Sequence, residues 1–260
     1  MKIICWNMGA AFGFSGAKHN AAWEWLNGQD VDVALLQEFV PLDEFVESWG
    51  SVIFNGKWKN WGCGVLVREG GYERWEPSES EPWLQRVRGA VAVARPVAGV
   101  GFWFGSVHSD SSSFETTNRK YPSTYGDLPA RDGILRCSSK HMWEIEVIAH
   151  ELAPVLASHK FIFGGDLNSS LLMDKKAGGQ EAQLFANLAS LGFVDLRPRH
   201  SKEEVQNYFK KGKGPFQLDH VYSDEATEPA VTRWEVLTDV ASELGLSDHA
   251  PILVELGDTT

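Results

Sequence analysis

Asp248 and His249 stand at the centre of the C-terminal stretch Leu-Ser-Asp-His-Ala-Pro-Ile, just before the apolar run Ile252, Leu253, Val254. That order puts a carboxylate and an imidazole at a strand mouth. Upstream, other polar groups close or adjoin apolar, β-rich runs. They are Cys-Trp-Asn (Asn7), Leu-Gln-Glu (Glu38), Ser-Val-His-Ser (His108), Gly-Gly-Asp-Leu-Asn (Asp166, Asn168) and Leu-Asp-His-Val (Asp219). These residue types suit phosphodiester hydrolysis. A phosphodiester is an anion and resists water, so its cleavage needs a metal to neutralise charge, a base to activate water and a donor for the leaving oxygen. Carboxylate oxygens suit Mg²⁺ or Mn²⁺. The clustered Cys or His that Zn²⁺ favours are missing.

The sharpest local signal runs from Phe161 to Asn168. A buried strand meets Gly164 and Gly165, where the backbone can turn closely. If the chain stays extended, Asp166 and Asn168 point the same way; an Asx turn is the structural alternative. Glu38 closes the apolar run 31–37, which places it at a sheet edge, facing solvent or a metal. Asn7 alone would be an ordinary turn residue. His220 follows Asp219 directly and should face the other side of its strand. Asp195 reads as a structural turn acid.

In this order the motifs resemble the endonuclease/exonuclease/phosphatase family, whose relatives include deoxyribonuclease I, apurinic endonucleases, sphingomyelinases and inositol phosphatases. The resemblance spans residues 3–256. It implies an α/β (α+β) fold, a four-layer α/β/β/α sandwich of two packed mixed sheets flanked by helices, with the site at one edge of the sheets. It makes Glu38 the principal metal ligand and puts Asn7 in the metal shell or on a phosphate oxygen. Asp166 orients or deprotonates the attacking water, and Asn168 fixes that carboxylate and contacts the phosphate. His249 meets the scissile phosphate; if Asp219 accepts a hydrogen bond from it, the pair favours its charged form. Asp248 is then a metal-shell or His-supporting carboxylate, and His108 an acid or phosphate donor. Two departures stand out. Deoxyribonuclease I supports its first histidine with a Glu near the fourth strand, where this chain offers only Asn60. The tyrosine of apurinic endonucleases has no firm counterpart, since Tyr121 and Tyr125 lie in a long insertion.

The elements that must position these groups are readable in outline. Strand-like runs fall at 2–7, 31–37, 51–54, 63–68, 89–95, 100–108, 160–165, 217–222 and 251–256. Helical spacing falls at 18–27 (Ala21, Ala22, Trp25 and Leu26 on one face), 140–152 and 180–191. Periodicity alone gives a single α/β or α+β domain over 1–260. Residues 109–139 are polar and rich in Ser and Thr, and read as a loop insertion beside His108.

The net charge of −11 counts against tight, non-specific DNA binding. Basic residues cluster instead at Lys210, Lys211 and Lys213, with Arg131 and Arg136 in the insertion and Arg197, Arg199, His200 and Lys202 upstream. The lysine loop and Arg131 are the candidate substrate contacts. Trp58 and Trp61 could stack on a base or sugar. Cys5, Cys63 and Cys137 lack metal spacing and read as reduced thiols. No run nears the ~18 apolar residues of a membrane helix, and the N-terminus reads as a first strand, so a cytoplasmic monomer without membrane insertion is expected. The expected activity is a Mg²⁺- or Mn²⁺-dependent phosphoesterase, with nucleic acid as partner and DNA as the leading substrate. The alternatives are a phosphatase or phosphodiesterase on a nucleotide, inositol phosphate or sphingolipid headgroup, and a binding module without chemistry.

Overall fold

The structure, a computed structural model, describes residues 1–10, 16–58, 61–76, 91–110, 144–174 and 179–257. Two parallel strand pairs organise it: β1 (Lys2–Asn7) with β2 (Val33–Phe39), and β7 (Trp103–His108) with β8 (Phe161–Asp166). Parallel neighbours cannot be joined by a tight turn and need a crossover, usually helical. Helix α1 (Gly16–Asn27) lies in the first crossover and α3 (Glu144–Leu156) in the second. A short α2 (Asp43–Val46) follows β2.

Antiparallel strands extend each pair. The first sheet has the order β11-β12-β1-β2-β4-β3, with β3 (Ser51–Trp58), β4 (Trp61–Val67), β11 (Val231–Val236) and β12 (Ile252–Leu256). The second has the order β5-β6-β7-β8-β10-β9, with β5 (Tyr72–Arg74), β6 (Val91–Pro96), β9 (Val194–Asp195) and β10 (Asp219–Ser223). Helix α4 (Gln180–Ser190) covers the second sheet beside α3; α5 (Arg197–His200) and α6 (Asp239–Ser242) are single turns.

Three apolar clusters divide along these layers. Ile3, Cys5, Val33, Leu35, Phe104, Ile162 and Val221 meet between the sheets. Ile4, Trp6 and Leu36 face Trp23 and Leu26 of α1. Val93, Phe161 and Phe163 face Ile148 and Leu152 of α3 and Leu188 of α4. Neighbouring residues on one strand thus serve opposite layers, as a two-residue period requires. Both sheets are covered on both faces, which gives the expected α/β/β/α sandwich.

The expected runs recur with shifted ends. Strands β5, β9 and β11 were missed. On α1 the buried centre is Trp23 rather than Trp25, and its indole N–H donates to Val40 O at 3.1 Å. Helix α3 continues through Pro154, where Ala157 N still bonds Ala153 O at 2.9 Å. Most of the 109–139 insertion, with Tyr121, Tyr125, Arg131, Arg136 and Cys137, lies outside the described residues, as do Asn60, residues 89–90 and residues 140–143.

Candidate active site

The same two-residue period that builds the inter-sheet core places the polar strand ends. On β1 the inner face carries Ile3, Cys5 and then Asn7. On β7 it carries Phe104, Ser106 and then His108; on β8, Ile162, Gly164 and then Asp166. The parallel pairs make these strands finish at one edge. Strand β10 runs antiparallel to β8, so it begins at that edge, with Asp219 opposite Asp166 and Asp166 opposite His108. His220 points the other way, onto Ser169 O (3.0 Å) and the Phe185 ring. Gly165 lets β8 reach this edge. It sits at φ 156°, and a Cβ there would lie 1.8 Å from Val107 O.

Glu38 breaks the alternation. Gln37 already faces inward, where it donates to Ser106 Oγ at 2.8 Å, so Glu38 should face α1. The β2–β4 register shifts between Leu36 and Phe39, and Glu38 adopts φ 46°. This bulge turns Glu38 into the inter-sheet edge before Phe39 returns to the helix side. A left-handed non-glycine residue costs on the order of 1–3 kcal/mol and persists where the surroundings impose it. Glu38 is buried at 5% exposure, not left at a solvent-facing sheet edge.

The side chains converge closely. His108 Nε2 lies 3.0 Å from Glu38 Oε1 and 3.7 Å from Asp166 Oδ2. Asn7 Nδ2 donates to Asp166 Oδ2 (3.0 Å) and Glu38 Oε1 (3.3 Å). His249 Nδ1 is 2.7 Å from Asp219 Oδ2, and its Nε2 is 3.8 Å from Asp166 Oδ2. His249 comes from the lead-in to β12, tied to the end of β1 by Trp6 Nε1→His249 O (2.9 Å) and Ser247 Oγ→Asn7 O (2.7 Å).

Asn168 does not stay extended. At φ 52° it forms the Asx turn, its N–H donating to Asp166 Oδ1 at 2.8 Å while its side chain donates to Ser109 O at 2.9 Å. It therefore fixes Asp166 through its backbone, and its amide nitrogen is spent on the loop after His108.

Charge follows from crowding. Burial opposes a charged His249, but Asp219 and Asp166 outweigh it and raise its pKa to about 10. Burial likewise opposes charge on His108, and Glu38 with Asp166 raises it to about 9. Burial pushes Asp166 up to about 6, against the pull of His249. For Glu38, burial works upward, yet contacts with His108 and Asn7 hold it below the usual value. At neutral pH the edge thus pairs carboxylates with two imidazolium ions.

The donor set fits a hard dication. Carboxylate oxygens of Glu38 and Asp166 lie within 4.8 Å of one another and of a His108 ring nitrogen, as do those of Asp166 and Asp219 with His249. The rings, charged at neutral pH, have no lone pair to give, so the oxygens are the donors. Among the described residues, Glu38 Oε2 and Asp219 Oδ1 are buried without a hydrogen-bond partner. Oxygens left bare at that depth suit a cation such as Mg²⁺ or Mn²⁺. Asp248 falls outside both groups. It is half-buried, acts on His249 and Lys18 at longer range, and gives its backbone carbonyl to Phe209 N at 2.7 Å.

Sequence reasoning missed the segment 207–209. Tyr208 forms a bridge with His249 and tilts its ring against the imidazole at 4.9 Å. Burial first, then Asp248, Asp166 and Glu38, push its phenol up to about 12, so it remains a neutral donor. Nothing in Gln-Asn-Tyr-Phe marks it. Lys210, Lys211 and Lys213 follow this segment as an exposed turn. Arg197 and Arg199 serve elsewhere: Arg197 bonds Ser201 O and pairs with Asp195, and Arg199 pairs with Glu228. Trp61 sets its ring edge-on to His108 at 5.6 Å; the side chain of Trp58 lies outside the described set.

Two mixed sheets packed as a four-layer sandwich, with acids and imidazoles clustered at their shared edge, set the fold class and the candidate site. The sequence model of the Endonuclease/Exonuclease/phosphatase family matches residues 4–249, and the chain belongs to that family. No curated protein matches. Solved structures share the fold. An AP endonuclease from Archaeoglobus fulgidus superposes with TM-score 0.70 at 15% identity, over 99% of this chain and 100% of its own. A 3′ phosphatase from Neisseria bound to product DNA hairpin gives TM-score 0.69 at 17%, with the same coverage. The endonuclease domain of a telomere-specific non-LTR retrotransposon gives 0.60 at 15%, over 100% of this chain and 99% of its own. Among the described residues no helix is long and apolar enough to cross a membrane.

Proposed function

We propose that the protein is a Mg²⁺- or Mn²⁺-dependent nuclease that hydrolyses phosphodiester bonds in DNA. The observation that carries this reading is the inter-sheet edge itself: Glu38, Asp166 and Asp219 gathered with two raised-pKa imidazoles, and Glu38 Oε2 left bare at depth. A cation held by Glu38 with Asn7 beside it would draw charge from the phosphate oxygens and ease ionisation of water. Asp166 is ionised at neutral pH and aimed by the Asn168 N–H and the Asn7 amide, so it can take the proton of the attacking water. His249, oriented through Nδ1 by Asp219, turns Nε2–H toward the phosphate position. His108 offers a second cationic donor from the opposite sheet. The lysine turn meets phosphates flanking the scissile one, with Arg131 as a further contact.

A second reading is favoured by the −11 charge, which disfavours a long polyanion. It is a phosphatase acting on a terminal or small monoester; the Neisseria protein of similar fold is named a 3′ phosphatase. The test is a panel of plasmid DNA, single-stranded DNA, RNA, a 3′-phosphorylated hairpin, a nucleotide monophosphate and an inositol phosphate. Each is assayed with Mg²⁺, Mn²⁺ or EDTA, using the parent and Asp166→Asn. Cleavage of DNA that EDTA and the substitution both abolish supports the nuclease. Release of phosphate from monoesters alone moves the protein to the second reading. No turnover of any substrate sinks both.

A further inference from the structure

Asp219 and His249 lie 2.7 Å apart but belong to different sheets: Asp219 begins β10 in the second, and His249 precedes β12 in the first. Residues 207–209 run between them, and Asn207 bonds to both sides. Its backbone carbonyl accepts from Ala250 N at 2.8 Å, one residue past His249. Its side-chain Oδ1 accepts from Leu218 N (2.7 Å) and Asp219 N (3.4 Å), while Nδ2 donates to Asp219 O (3.0 Å). The next residue, Tyr208, bridges His249. We propose that Asn207 is a positioning residue: its backbone holds the His249 segment, its carboxamide holds the Asp219 segment, and together they set the approach of the carboxylate to the imidazole.

The residue type fits this task. A carboxamide both accepts and donates, so one short side chain can grip an N–H and a C=O on the same strand. Aspartate keeps the acceptor and loses the donor; leucine keeps the bulk and loses both. Asn207 is fully buried, at 0% exposure, so water cannot take its place. Catalytic geometry is sensitive to such supports, since a misplacement of about 1 Å can cost about 10²-fold in rate. Asn207 touches neither substrate nor water in this scheme and acts through Asp219 and His249.

The inference rests on the proposed reading of the site, so its test carries a readout that needs no turnover. Proton NMR of the full chain would follow the low-field signal of the His249 Nδ1–H held by Asp219, alongside kcat and KM. Asn207→Leu should shift or erase that signal and lower kcat about 10²-fold while KM stays within about threefold. Asn207→Asp should fall between Leu and the parent, and it decides the matter should the Leu variant not fold. Leu188→Ala, which opens the α3–α4 cluster away from the site, is the stability control and should keep both signal and kcat. Parent-like signal and kcat in the Asn207 variants would overturn the proposal, as would equal losses in Leu188→Ala. If the parent hydrolyses nothing, the functional reading fails, and the NMR signal alone still decides the role of Asn207.

Discussion

Replacing Asp219 by Asn tests how the site keeps His249 charged. The substitution preserves shape and removes one charge from a carboxylate that is 0% exposed and 2.7 Å from Nδ1. Taking the charge centres as about 4 Å apart, at an effective dielectric near 20, the lost attraction is about 4 kcal/mol. That equals about three pKa units. His249, held at about 10 in the parent, should then titrate near ~7. At pH 8 its charged fraction drops from nearly all to about a tenth, costing about tenfold in rate if the cation is needed; poorer orientation adds about tenfold more. At pH 6 both proteins carry a charged ring, so only the orientational loss remains. The gap in kcat should therefore be about 10²-fold at pH 8 and about 10-fold at pH 6. Stability follows with a definite sign. A raised histidine pKa stabilises the fold fully below its unfolded value near ~6.5, and that contribution fades as pH climbs toward 10. In the variant the alkaline decline should flatten above about pH 7. NMR titration of the ring, pH–rate profiles and urea melts at several pH values check these outcomes. A gap independent of pH, or a ring still titrating near 10, would refute the reasoning.

Other expectations concern the cation, the backbone and the surface. Glu38→Gln should abolish the rise in melting temperature that Mn²⁺ gives the parent, a rise worth about 2.7 kcal/mol at a hundredfold excess over Kd; an unchanged Mn²⁺ titration would remove Glu38 as a ligand. Gly165→Ala must place a Cβ 1.8 Å from Val107 O at φ 156°, so it should lower stability by about 4 kcal/mol or more. A parent-like urea midpoint would contradict that. Changing Lys210, Lys211 and Lys213 together to Ala should raise KM for DNA about tenfold and flatten its salt dependence; if both stay as in the parent, the turn is merely solvated.

The order of the motifs and the family they resemble made the site residues legible, and strict alternation explains where most of them fall. Asn7, His108, Asp166 and Asp219 each extend an inward-facing series along a strand, and counting by two reaches them all. Glu38 defied the same counting. Its placement depends on one extra residue in β2 and a left-handed backbone, and no residue type in Leu-Gln-Glu-Phe announces a bulge. Asn168 shows the reverse case, since the Asx turn set beside the extended reading is what forms. Strand β11 escaped notice because Thr232, Arg233 and Glu235 interrupt its apolar residues, and a shift after Val231 spoils the alternation. Asn207 and Tyr208 were invisible for a different reason. Their importance comes from contacts between segments remote in sequence, and a polar stretch between elements gives no hint of what it holds.

Asn7, Glu38 and His249 hang from one sheet, and His108, Asp166 and Asp219 from the other. Neither sheet alone carries a working set of charges. If those residues act as proposed, a chain whose two halves have not docked should not turn over substrate. In the proposed reading the set of charges is complete only once the two sheets have docked. The inter-sheet core sets the moment of activation as well as the shape, and a substitution that loosens it anywhere should dim the chemistry before it melts the molecule.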